Sequence, residues 1–220
     1  MVFFNFEFFV LKKLKDKSVL ENHHIAASWL ITVQDEKSDI FGKMDIDNYK
    51  LIRQRMISMV LATDMSSHFG DLAKAKAKVS SSELDLKDKD KFSCMDSLIH
   101  AADISNPLKP FPIYFQWTER ILTEYWNQVI EKIYLNFKEF IQGDKERENE
   151  LPVSYLMDRF TVNTAKSQIG FIDVIVKPLF EIVKCFLPEL QNYLANLDNN
   201  KITWTGKIDE YDALLSFLIF

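Results

Sequence analysis

The chain has 220 residues, a formal charge of −5, 47% hydrophobic residues and only five glycines, the balance of a helix-rich globular domain with a sizeable core. Its most basic run, Lys74, Lys76 and Lys78, alternates with alanine and leads into acidic residues like a solvated helix surface, so neither a nucleic acid nor a membrane is an expected partner. No apolar run reaches the roughly 18 residues of a membrane span. Met1 to Leu11 carries Glu7 without a basic leader, and Cys94 and Cys185 stand far apart in apolar patterns, so we expect a cytoplasmic protein with reduced core thiols.

Helical periodicity dominates and sustained alternation is absent, which predicts an all-α, compact multi-helix domain. Ser18 and Glu21 have the spacing of a capping box, opening a helix to about Leu30. Asp45 and Asp47 open a long helix with Ile52, Met56, Met59, Val60 and Thr63 on one side, ending near Gly70. Lys87 to Asp90 precede a helix with Phe92, Met95, Leu98, Ile99 and Ala102 inward. Asn106-Pro107 stops it, so Asp103 falls in its last turn. The next helix starts beyond Pro112 with Tyr114, Trp117, Thr118 and Ile121 on one face. Two more are expected, Asp158 to about Phe186 with Pro178 as a kink or break, and Pro188 to Leu197.

Several polar residues sit where the pattern wants apolar ones. Asp64 lies beside an apolar stripe, and the ordinary outcome is a pair with His68 one turn on. Asp96, His100 and Asp103, at i, i+4 and i+7, share a helical face that suits a metal or a proton relay, or else a surface ladder of ion pairs. His23 and His24 are adjacent, point about 100° apart on a helix, and so cannot both bind one ion. Gln168 and Phe171 share a face, an amide beside an aromatic ring, which fits a flat heterocycle as well as an ordinary core phenylalanine with a partly exposed glutamine. Gly170 between them costs a helix about 1 kcal/mol and hints at a close approach.

In order, the segments Ser18-Val19-Leu20-Glu21-Asn22-His23-His24, Val60-Leu61-Ala62-Thr63-Asp64-Met65-Ser66 and Ile99-His100-Ala101-Ala102-Asp103-Ile104-Ser105-Asn106-Pro107 carry a family likeness. Trp117-Thr118-Glu119-Arg120-Ile121, Gly143-Asp144-Lys145-Glu146-Arg147-Glu148 and Ser167-Gln168-Ile169-Gly170-Phe171-Ile172-Asp173 extend it. Together they resemble the class I cyclic-nucleotide phosphodiesterases, from about Ser18 to Trp204. The resemblance implies hydrolysis of the 3′ ester of cyclic AMP or cyclic GMP to the 5′-monophosphate in signal transduction, by a hydroxide held between two metals, zinc and magnesium. By position, Asp103 is implied to contact both metals and Glu21 to hydrogen-bond metal-bound water. Asp64 and Met65 would line the pocket on the metal side. Gln168 matches the glutamine that hydrogen-bonds the purine, Phe171 and Ile121 match the two sides of a clamp on the base, and Asn106, Tyr114, Trp117 and Thr118 take the remaining purine positions.

The family pattern is departed from in two places. Two imidazole ligands, one aspartate and the general acid belong to motifs ahead of the position of Glu21, where residues Met1 to Lys17 hold no histidine and a single aspartate. The expectation is therefore a single partial catalytic domain over residues 1–220 with an atypical leader at 1–17, lacking its N-terminal helices, binding metal poorly and not turning over alone. The apolar faces so exposed would seek the missing N-terminal segment or a second copy as a homodimer. The second departure is Val129 to Gln142, an insertion dominated by Ile, Lys, Asn, Phe and Tyr, read equally as a retained intron translated in frame or as a genuine extension; Met1 to Val10 would share the intron origin. The competing functions are a nucleotide-binding or dimerising pseudoenzyme, and a helical scaffold without ligand.

Overall fold

A computed structural model describes residues 17–81, 85, 90–127, 144–148, 150, 152, 153, 156–158 and 160–218. All but the last residue of the leader at 1–17, and the insertion at 129–142, lie outside them. Every regular element among the described residues is helical, as the periodicity requires, and none of these helices is long and apolar enough to cross a membrane. The chain divides into two compact units, Met1–Ile104 with Glu181–Pro188, and Ser105–Phe180 with Glu189–Phe220.

The first unit holds α1 (Val19–Gln34), α2 (Ile46–Leu61), α3 (His68–Ser80) and α4 (Lys91–Asp103). The expected capping box at its start is not formed. Ser18 adopts a left-handed φ of 44° and makes no cap bond; its hydroxyl donates instead to Asp64 Oδ2 at 2.6 Å. A hydrogen bond to a carboxylate is roughly twice as strong as a neutral one, which offsets the about 1–2 kcal/mol that a left-handed backbone costs. Asp45 does cap α2, accepting from the backbone N–H groups of Asp47 and Asn48 at 3.2 and 3.0 Å.

The helix expected to run on to Gly70 stops at Leu61. Thr63 Oγ1 donates to Val60 O at 2.8 Å and Asp64 Oδ1 accepts from Ser66 N at 2.8 Å, side-chain bonds that compete with the helical ladder. Gly70 lies inside α3 with open space on its side-chain position. At the end of α3, Lys78 is more than a solvated charge: its Nζ donates at 2.5 Å to Asp90, whose side chain is only 4% exposed. The buried stripe of α4 runs through Cys94 and Ala101 with His100 beside it, whereas Ala102 is exposed. Phe92 is half-buried, with the Arg55 guanidinium 3.5 Å over its ring. Cys94 is buried as expected, but Cys185 is exposed, beyond the end of its helix. Leu20, Ile31 and Ile46 stay exposed, and neither α1 nor α2 buries any residue fully.

The second unit opens on a 3-10 turn, Asn106–Leu108, then α5 (Phe111–Asn127) and the short α6 (Asp144–Glu148). α7 (Thr164–Gly170) leads into a π-helical segment, Phe171–Val176, and α8 (Lys177–Val183), whose residues from Glu181 on belong to the first unit; after a 3-10 turn at Pro188–Leu190 come α9 (Gln191–Thr205) and α10 (Ile208–Leu218). α7 begins six residues later than the pattern suggested because Asn163, not Asp158, is the cap: its Oδ1 accepts from Lys166 N at 3.0 Å. Pro178 does not break the path. The wide π turn precedes it and carries the backbone past a residue with no N–H to donate. α9 runs past Leu197 to bury Trp204, whose ring lies 5.3 Å from Phe111, 6.0 Å from Tyr114 and 5.9 Å from Phe115. That aromatic cluster fixes the first turn of α5, and Ile172, Val176 and Leu197 complete a fully buried core.

Candidate functional site

In the second unit, Gln168 and two hydroxyls of α5 form one hydrogen-bonded group. Tyr114 Oη donates to Gln168 Oε1 at 2.7 Å and Thr118 Oγ1 donates to the same oxygen at 3.3 Å. Tyr114 and Thr118 are one helical turn apart, so α5 presents both to a single point on α7; Thr118 also reaches Tyr114 O at 3.2 Å. Burial pushes the Tyr114 phenol well above its ordinary pKa, so it stays protonated and remains a donor. With Oε1 turned toward two hydroxyls, the Nε2 donors of the amide are directed away from them.

Apolar side chains flank that group by helical arithmetic. Ile121 follows Thr118 by three residues and Phe171 follows Gln168 by three, each half-buried on the next turn. Phe171 opens the π segment, and the fully buried Ile172 and Val176 behind it fix its backbone. The close approach inferred at Gly170 is not made by the described residues, none of which a Cβ there would meet within 4 Å. Trp117 is 46% exposed with the Arg120 guanidinium 5.4 Å over its ring. Asn106 begins the 3-10 turn, and its Oδ1 is shielded from solvent with no hydrogen-bond partner among the described residues. A buried acceptor without a donor is a costly arrangement that a ligand N–H would relieve.

The first unit carries the carboxylates. Asp64 accepts from Ser18 Oγ and Ser66 N, and these bonds, the Ser18 one foremost, hold its carboxyl below the usual range. It does not pair with His68, because the break after Leu61 removes the helical spacing between them. His68 Nδ1 instead lies 2.8 Å from His100 Nε2, both rings buried, so each histidine spends one nitrogen on the other. Asp96 accepts from Ser58 Oγ at 3.1 Å, and burial raises its carboxyl. Met65 is 44% exposed and Glu21 sits half-buried in the first turn of α1. Asp103 is exposed at the last position of α4, where the helix dipole disfavours a carboxylate by about 0.3–1 kcal/mol.

The shared face of Asp96, His100 and Asp103 thus resolves into three side chains with separate surroundings. Among the described residues no three His, Cys, Asp or Glu are grouped to hold a metal ion, and the donor set does not fit a two-metal centre. Three arrangements escaped the sequence reading: the His68–His100 pair, the Ser18–Asp64 bond, and two asparagines of α9, Asn196 and Asn200, that bind the turn after Asn106. Only the last left a signal, a pair of amides one turn apart beside the apolar Leu194 and Leu197.

Comparison with known proteins places these residues in a family context. The family profile described as 3'5'-cyclic nucleotide phosphodiesterase matches residues 9–197. Rat 3',5'-cyclic-AMP phosphodiesterase 4C is 40% identical over 201 residues, which are 88% of this chain and 35% of that protein. The mouse protein of the same name is also 40% identical over 201 residues, 27% of its length, so the chain spans between about a quarter and about a third of the curated relatives it matches. The crystal structure of the phosphodiesterase domain of the RhoPDE fusion protein from the choanoflagellate Salpingoeca rosetta superposes with a TM-score of 0.77 at 28% identity, over 93% of this chain and 61% of that one. The structure of LmjPDEB1 in complex with IBMX gives 0.76 at 26%, over 92% and 56%.

Proposed function

We propose, from the premise that this chain belongs to the 3'5'-cyclic nucleotide phosphodiesterase family, that its second unit recognises the purine of a cyclic nucleotide, with cyclic AMP as the substrate class. The observation that carries this is the Gln168 amide oriented by Tyr114 and Thr118. An amide so held offers a fixed hydrogen-bonding edge to a flat heterocycle, and Phe171 and Ile121 on the adjoining turns supply apolar surfaces for its two faces. The Oδ1 of Asn106, without a hydrogen-bond partner among the described residues, adds an acceptor for a base amino group beside the Gln168 Nε2 donors. Cyclic AMP is preferred over cyclic GMP on the strength of the rat relative, which is named for it.

The reaction assigned to the family is hydrolysis of the cyclic ester to the 5′-monophosphate, with Asp103 as a metal-contacting carboxylate, Glu21 as a partner of bound water, and Asp64 and Met65 on the metal side. Zinc and magnesium would supply the hydroxide and charge neutralisation. The described donors do not form such a centre. We therefore assign this chain binding without turnover by itself, as one part of a phosphodiesterase catalytic domain in the cytosol. The exposed Leu20, Ile31 and Ile46 suit a covering segment or a second copy.

The test uses the full chain. Titration calorimetry with cyclic AMP is expected to show binding that Gln168→Ala weakens about tenfold or more, and turnover with added zinc and magnesium is expected below detection. A folded chain that binds no cyclic nucleotide would leave a ligand-free scaffold as the answer. Metal-dependent hydrolysis by the purified chain would overturn the statement that it is silent alone.

A further inference from the structure

The turn between Asn106 and α5 is held from α9. Asn200 Nδ2 donates to Pro107 O at 2.7 Å and to Lys109 O at 2.8 Å, and Asn196 Nδ2 donates to Leu108 O at 3.2 Å. Three successive loop carbonyls thus end on two amides one helical turn apart. Proline explains the need. Pro107, Pro110 and Pro112 have no N–H, and two of the neighbouring donors are spent inside the turn, Leu108 N on Ser105 O at 3.0 Å and Lys109 N on Asn106 O at 3.1 Å. Pro107 and Leu108 are buried, so their carbonyls are poorly placed for water, and Asn200 itself is only 3% exposed.

The three carbonyls lie between recognition residues. Asn106 immediately precedes them, and Lys109 is two residues from the start of α5, which carries Tyr114, Trp117, Thr118 and Ile121. Any slack in Pro107–Lys109 would change the position of Asn106 against the hydroxyls that orient Gln168. We propose that Asn200 is a positioning residue for base recognition: by bonding Pro107 O and Lys109 O it fixes Asn106 relative to the first turns of α5, without touching nucleotide. Asn196 adds a weaker third hold. This role rests on the base-recognition reading of the second unit.

Two measurements on the full chain separate the role from general support of the fold. Asn200→Asp keeps the shape and sets carboxylate oxygens against two carbonyls. Leu197→Ala empties a fully buried position of the same helix and leaves the turn's bonds alone. Asn196→Ala removes one long bond and serves if the aspartate variant does not fold. Amide hydrogen exchange should speed up about tenfold or more at Leu108 and Lys109 in Asn200→Asp, with a similar loss of cyclic AMP affinity by calorimetry, and about threefold in Asn196→Ala. At a temperature where Leu197→Ala is folded, both its readouts should stay within about twofold of wild type. Unchanged exchange, unchanged affinity despite faster exchange, or an equal loss in Leu197→Ala would each overturn the role. A wild-type chain that binds no cyclic AMP would sink the base-recognition reading and the role with it. Normal wild-type binding with an unaffected Asn200→Asp would sink the role alone.

Discussion

Replacing Tyr114 with phenylalanine removes a single oxygen from a fully buried side chain and leaves its ring packed against Trp204, 6.0 Å away. The lost bond is the shorter of the two that hold Gln168 Oε1, at 2.7 Å; the survivor from Thr118 is 3.3 Å long and is shared with Tyr114 O at 3.2 Å. A net hydrogen bond contributes about 0.5–1.5 kcal/mol, and because Gln168 is only half-buried, water replaces part of it, so the stability cost should be near about 1 kcal/mol. The larger effect is on orientation. An amide held by about 1 kcal/mol keeps one rotamer over the other by roughly fivefold, and releasing it should weaken cyclic AMP binding by about that factor. Thr118→Val removes the longer, shared bond and should cost about twofold or less. Calorimetric titration gives the affinities and urea unfolding the stabilities. Thr118→Val costing more than Tyr114→Phe, or Tyr114→Phe binding as wild type, would refute the claim that the phenol sets the amide.

The remaining expectations concern the first unit. Burial holds both His68 and His100 below the ordinary imidazole value, with repulsion from His100 adding at His68 and the charges of Asp103 and Asp71 opposing at His100. The folded state therefore refuses protons that the unfolded chain accepts: stability is level above about pH 6.5 and falls below it, by at most about 1.4 kcal/mol per pH unit for each ring. Urea midpoints at pH 7.5 and 5.5 should differ in that direction, and His100→Asn should flatten the difference; equal midpoints in the parent chain would contradict it. Lys78→Ala removes the ammonium from an Asp90 side chain that is 4% exposed but still accepts from Asp85 N at 3.1 Å, and should cost about 1–2 kcal/mol, discounted because Lys78 is itself 45% exposed. Lys74→Ala breaks a pair whose members are 77% and 50% exposed and should stay within about 0.5 kcal/mol, so thermal melts of the two variants must differ. Ser18→Ala should raise the Asp64 pKa toward the ordinary carboxylate value, measurable by NMR titration, because the Ser18 bond is the first cause of its depression.

What the sequence made legible was local. Asp45 as a cap, the stop at Asn106-Pro107, Asp103 closing α4 and the joint face of Tyr114 and Thr118 follow from spacing within a few residues, and the structure places all of them so. The stop of α2 at Leu61 turns on local side-chain bonds of Thr63 and Asp64; two other failures share one physical cause, a side chain whose best partner is remote. Ser18 left its cap for Asp64, 46 residues away, and His68 turned to His100, 32 residues away, once the helix ahead of it had ended. The late start of α7 has a related cause: its cap Asn163 is anchored from afar, with Nδ2 donating to Asp212 Oδ1 at 2.6 Å and to Ile208 O at 3.1 Å on α10. The site follows the same division. Gln168 and its hydroxyls were nameable from motif position, but that the oxygen edge faces them is a fact of packing.

Within the second unit, that packing depends heavily on α9. Trp204 holds the aromatic start of α5, Asn200 and Asn196 hold the turn before it, and Leu194 and Leu197 bury the face between them. α5 in turn supplies both hydroxyls that orient Gln168. A helix that contributes no residue to the proposed base contacts therefore sets the geometry of Asn106 and of Gln168 at once, by two routes that meet on α5. The consequence is a specific non-additivity. Substitutions at Asn200 and Tyr114 act on one orientation of the recognition group, so their combined loss of affinity should fall short of the sum of the single losses. A double variant Asn200→Asp, Tyr114→Phe that loses affinity additively would show that the two routes are separate, and that α9 supports the fold without governing the site.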